Sequence, residues 1–99
     1  MIKVTKILEN KPYKLLCTFN NGETKELDME PIFAKEPSKE TIDKLRQPKV
    51  FQTATIGSLG QIYWPNAANM LDENGKPTLC EYDISPEFAY HFSVKVSNI

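Results

Sequence analysis

The sequence predicts a small α+β domain: a mostly antiparallel sheet, built from an N-terminal strand meander and later hairpins, with one main helix and a short C-terminal helix. Three observations carry that expectation. Tyr13, Leu15, Cys17 and Phe19 alternate with Lys14, Leu16, Thr18 and Asn20, the period of two of a strand with one buried face. Turn signals at Asn21-Gly22, Gly57 to Gly60 and Asn74-Gly75 cut the chain into hairpin-sized pieces. Between them, Ser38 followed by Glu40, Ile42 and Leu45 reads as a capped helix with one apolar face. At 99 residues, the whole chain (1–99) is the length of one small domain.

In order, residues 2–8 read as a first strand closed by Asn10-Lys11-Pro12. Residues 13–19 make the second strand. Asn20-Asn21-Gly22-Glu23 predicts a type I′ turn into a third strand over 23–29. Residues 30–37 read as a connector. Ser38 opens the main helix, Glu40 complements its dipole, and Pro48 ends or kinks it. Val50 and Phe51 are expected to fill the space between helix and sheet. Residues 53–56 and 61–64 form a hairpin over Gly57-Ser58-Leu59-Gly60, and Pro65-Asn66 is expected to end its second strand. A further reversal at Asp72-Glu73-Asn74-Gly75 joins 67–71 to 78–82. Ser85-Pro86-Glu87 supplies a cap, a first-turn proline and an acid for a short helix over 86–91. The tail, 92–99, alternates Val94 and Val96 with Lys95 and Ser97, as an edge strand or a loose end.

Composition narrows the function classes. With 40% apolar and 25% charged residues, the chain is too apolar for intrinsic disorder. Twelve basic and 13 acidic residues leave a net charge of −1, without the basic surplus that drives nucleic-acid binding. No run approaches the ~20 apolar residues of a membrane span, and Met1 leads into no signal-peptide pattern. Cys17 and Cys80 form no Cys-x-x-Cys pair and, without an export signal, read as buried free thiols; a bacterial-type cytoplasmic protein is the default expectation.

No catalytic constellation stands out. His91 is the only histidine and lies in an aromatic helical setting, which favours a structural or solvated histidine over a nucleophilic dyad. No histidine, cysteine or acid shows metal-ligand spacing, so neither metal nor cofactor is expected. Asp72-Glu73-Asn74-Gly75-Lys76 lacks the acid spacing of a calcium loop, and Gly57 and Gly60 lack the lysine of a phosphate loop. The paired acids Asp28 with Glu30 and Glu81 with Asp83 read as solvated strand neighbours. More distinctive is Tyr63-Trp64-Pro65-Asn66. Two adjacent aromatics on a strand face opposite ways, so one ring can fill the core while the other anchors a partner, with Tyr90 as a further candidate contact.

The segments Ile62-Tyr63-Trp64-Pro65-Asn66 and Asp83-Ile84-Ser85-Pro86-Glu87 with Tyr90 resemble the bacterial domain-of-unknown-function family 2442. So do Asn21-Gly22-Glu23, Leu27-Asp28-Met29, and the step Leu45, Pro48, Phe51 that leads into the Trp-Pro-Asn strand. The resemblance covers nearly the whole chain, with residues 67–82 standing as an inserted hairpin between elements that nearly adjoin in typical members. It implies no established activity and no agreed site residues. Fusions of such domains to helix-turn-helix domains imply a regulatory, sensory or antitoxin-like role.

The expectation is therefore a non-enzymatic protein-interaction module, accessory or regulatory, that binds a protein partner or a second copy of itself. Exposed strand edges offer a second route to such contacts. The alternative is a small-ligand-binding or enzymatic domain whose pocket is lined by Trp64, Tyr82, Tyr90 and His91. Direct nucleic-acid contact ranks below both.

Overall fold

Alternation and turn chemistry produce two antiparallel sheets in the computed structural model, which describes residues 1–96. Among these residues, β1 (Val4–Lys11), β2 (Lys14–Phe19) and β3 (Thr24–Asp28) form the meander, and β7 (Val94–Lys95) adds to the β3 edge. The inward set is the one the period of two predicts: Val4, Leu15, Cys17, Phe19 and Leu27 are buried. The β2–β3 turn differs from the type I′ expectation. Asn21 keeps a negative φ and only Gly22 is left-handed, at +88°. Phe19 N bonds to Glu23 O at 2.9 Å and Gly22 N to Phe19 O at 2.9 Å. This is a three-residue loop whose glycine takes the left-handed position, which spares Asn21 a strained backbone. Of the expected tail strand, Val94 and Lys95 pair with β3, while Ser97, Asn98 and Ile99 lie outside the described residues.

The connector over 30–37 is a helix in the structure, α1 (Glu30–Lys35). Pro31 fits its first turn, where an absent N–H costs nothing, and Ile32 and Phe33 turn into the core. The main helix is α2 (Lys39–Leu45). Ser38 Oγ caps it by accepting from Thr41 N at 3.2 Å, and Thr41 and Leu45 are buried. Pro48 starts a separate single turn, α3 (Pro48–Phe51), which carries Phe51 into the interior with no exposure. Ser85 Oγ caps α4 (Pro86–Phe92) by accepting from Phe88 N at 3.1 Å.

The second sheet is β4 (Thr55–Ile56), β5 (Ile62–Leu71) and β6 (Pro77–Ile84). Its first turn is pressed onto β1: Val4 N bonds to Gly60 O at 3.0 Å. Gly60 has φ +78°, and a Cβ there would fall 2.5 Å from Lys3 Cβ, so glycine is required on both counts. Pro65 and Asn66 do not end β5. The ladder runs Ile62↔Ile84, Tyr63↔Asp83, Trp64↔Tyr82 and resumes at Ala68↔Cys80 and Met70↔Thr78, so β5 advances four residues while β6 advances two. A bulge absorbs the proline without a broken sheet. Because the excess is even, Ala68 and Met70 stay on the face of Trp64. Beyond the bulge the two strands project as an arm, and the molecule measures 53 × 25 × 22 Å.

Candidate interaction site

The Tyr63-Trp64 pair divides as the alternation requires, with Trp64 inside. Trp64 has no exposed surface, lies between Phe51 and Tyr82 at ring distances of 5.8 Å each, and donates from Nε1 to the Phe51 carbonyl at 2.9 Å. Its ring therefore supports the sheet from behind and reaches no external partner. Tyr63 faces the other way, half-buried and paired with Asp83. Pro65 and Asn66 are exposed on the bulge and border a hollow with Lys49, Val50 and Thr53.

Tyr90 is held elsewhere, against the β2–β3 turn. Its ring meets Phe19 edge-on at 5.2 Å, with Lys25 Nζ 3.8 Å from the ring centre. Its hydroxyl donates to Glu23 Oε2 at 3.0 Å and accepts from Asn21 Nδ2 at 3.3 Å. These bonds lock α4 to sheet one, so the structure brings 63–66 together and leaves Tyr90 apart. His91 is exposed with its ring 5.7 Å from that of Tyr90.

A groove that the sequence did not reveal opens between α1 and α4. Pro31, Ile32, Tyr82, Phe88 and Phe92 line it, Lys35 and Glu36 stand at its rim, and its volume is about 290 Å³. Phe88 and Phe92 stack at 4.2 Å and 20°, and Phe92 remains 54% exposed. Of the four residues expected around a ligand pocket, Tyr82 alone lines this groove. Burial, and then the Glu36 and Asp83 carboxylates, push the Tyr82 phenol above its ordinary value. It stays a neutral hydroxyl at physiological pH.

The apolar surface continues from Tyr82 along the arm. Its inner face carries Ala68 and Met70 on β5 with Thr78 and Cys80 on β6, and Met70 is 56% exposed. The outer face presents Leu71 and Leu79, at 68% and 54%. The signal for this surface was in the sequence. Alternation about Asn74-Gly75 sets Ala68 and Met70 opposite Cys80 and Thr78, but nothing in the pattern tells that no layer covers them.

The two thiols differ. Cys17 is buried as expected, and desolvation pushes it up to about 12. Cys80 departs from the expectation: it is only half-buried, because no second layer of described residues covers the arm. Among the described residues no three metal-ligating side chains cluster, and no helix is long and apolar enough to cross a membrane.

No curated protein and no solved structure matches the chain. A family model does, that of "Protein of unknown function (DUF2442)", over residues 6–94. The match takes in the meander, the Trp64 ladder, the arm and the capped α4, nearly every element described above. The chain belongs to the DUF2442 family.

Proposed function

We propose that the protein is a non-enzymatic protein-interaction module, an accessory or regulatory domain of the bacterial cytoplasm, with the β5–β6 arm as its contact element. The observation that carries this reading is the arm itself: Met70, Leu71 and Leu79 stand more than half exposed on a ladder clear of the body. A two-stranded hairpin is marginal in water by itself. Large apolar side chains exposed on both faces of such an element mark a contact surface more often than a solvated one.

The remaining features agree with it. Tyr63, Pro65 and Asn66 lie at the base of the arm and can extend the contact, whereas Trp64 and Tyr90 are engaged within the chain. The near-neutral charge favours a protein partner over nucleic acid. Two unpaired cysteines suit a reducing compartment. An antitoxin-like role is one regulatory setting in which such a module would act, by covering a partner's surface.

The test is affinity capture from native lysate with the wild-type protein and a Met70→Glu/Leu79→Glu variant. The expected result is a stoichiometric partner, another protein or an untagged copy of this one, held by the wild type and lost by the variant. Equal recovery by both proteins would remove the arm as the contact element.

A further inference from the structure

The arm and the groove are two limbs of one apolar step. Ala68, Met70, Thr78 and Cys80 form the tread, Tyr82 sits in the corner, and Ile32, Phe88 and Phe92 form the riser. Resting on the reading that makes the arm the contact element, we propose that the occupant of this step is a second copy of the chain. Two arms lie inner face to inner face about a two-fold axis, with Met70 near the axis, and each tip enters the groove of the other copy.

Three features argue for this occupant. The first is shape. A two-fold contact must be self-complementary, and a step with a projecting arm is filled by the same step inverted. From Ala68 to Leu71 the arm is four residue pairs long, ~14 Å at ~3.4 Å per residue, enough to carry its tip past the axis to the facing riser.

The second is area. A stable interface needs ~800 Å² from each partner. One hairpin face of ~14 Å by ~10 Å falls well short of that. The reciprocal arrangement adds the groove of each copy to its arm face, so each partner contributes more surface than a hairpin face alone.

The third is charge. The tip carries Asp72, Glu73 and Lys76, and the groove rim carries Lys35 and Glu36. Asp72 is occupied by its own turn, accepting from Asn74 N at 2.8 Å and Lys76 N at 2.9 Å. Glu73 and Lys35 make no ion pair within the described residues. The docked arrangement brings the Glu73 carboxylate to the Lys35 ammonium.

Sedimentation velocity over a wide concentration series tests this, with circular dichroism melts to confirm that each variant is folded. The wild type is expected to dimerise. Met70→Lys, which sets two like charges near the axis, is expected to raise the dissociation constant at least ~10-fold. Glu73→Lys and Lys35→Glu should each weaken the dimer, and the two together should recover it. A wild type that stays monomeric throughout would overturn the proposal, as would a dimer indifferent to Met70→Lys and to the charge exchange. The capture experiment separates the two readings: a monomer whose arm variant still loses a foreign partner overturns the dimer and keeps the arm as contact element.

Discussion

The β5–β6 ladder shows what strand pairing does with and without a layer behind it. Below the bulge, Ile62 and Trp64 sit opposite Ile84 and Tyr82, and Phe51 closes over them. Above it, Met70 and Leu71 sit opposite Thr78 and Pro77 with no second layer over them among the described residues, and both remain more than half exposed. The backbone pairing is of one kind in both halves. The difference lies in the apolar area removed from water, and that term dominates stability.

The largest expected effect breaks the lower half. Trp64→Ala removes the ring between Phe51 and Tyr82 and the Nε1 bond to the Phe51 carbonyl, which then keeps Asn10 Nδ2 at 3.1 Å and Ala54 N at 3.3 Å. Buried Trp truncations cost ~3–5 kcal/mol, against a total of ~5–15 kcal/mol for a domain. Urea denaturation should show a midpoint lowered by a large fraction, or a chain unfolded at 25 °C in buffer. A Met70→Lys change in the upper half should move the stability of the monomer by no more than ~0.5 kcal/mol, since it vacates no core volume. Comparable losses from both variants would mean that the two halves are equally part of the core.

Thiol chemistry sharpens the same contrast. Cys17 lies under the first sheet with its thiol pushed up to about 12, so at neutral pH almost none of it is thiolate. Thiolate is the reactive species, and burial also denies access to reagents. Cys80, half-buried on the arm, is open to reagents on one side. An aromatic disulfide reagent should therefore titrate one thiol in the native protein and the second only on unfolding, and Cys80→Ser should abolish the fast phase. A fast native reaction in the Cys80→Ser protein would place Cys17 in a more open site than its burial implies.

Much of the fold was legible because the local signals carry their own mechanism. Leu15, Cys17 and Phe19 could be assigned to one face by parity, and Ser38 and Ser85 could be assigned as caps by the amides they satisfy. What failed had its cause outside the segment concerned. Residues 30–37 read as a connector, yet Pro31 suits a first turn, and the burial of Ile32 and Phe33 decides for helix. Pro65 read as a strand end because proline lacks a donor, whereas a bulge tolerates it. Adjacent Tyr63 and Trp64 had to point opposite ways, but only packing beneath Phe51 says which one is inside. The groove joins Ile32 to Phe88 and Tyr82 across 50 positions or more, beyond the reach of any periodicity.

The smallest effect concerns the body's own surface, where polar contacts replace the missing second layer. Arg46 grips Glu30 with two bonds, Nη1 to Oε1 at 2.8 Å and Nη2 to Oε2 at 3.1 Å, tying the end of α2 to the start of α1. The guanidinium also lies 5.0 Å from the Phe33 ring and 5.6 Å from that of Tyr13, whose hydroxyl donates to the Arg46 carbonyl. The hydrogen bonds from Arg46 hold the Glu30 carboxyl below its ordinary value, assisted by the attraction of the two charges and opposed by slight desolvation. A carboxylate depressed in the folded state stabilises the fold above its unfolded pKa and loses that contribution as pH falls through the folded one. Wild-type protein should therefore lose melting temperature faster than Glu30→Gln on acidification below the ordinary glutamate range. Because both groups are solvent-facing, the gap should be small and should shrink in high salt. Parallel pH profiles for the two proteins would show that the pair adds nothing. The tie between α1 and α2 would then rest on the apolar contacts of Phe33 and Leu45, the same kind of layer that the arm lacks.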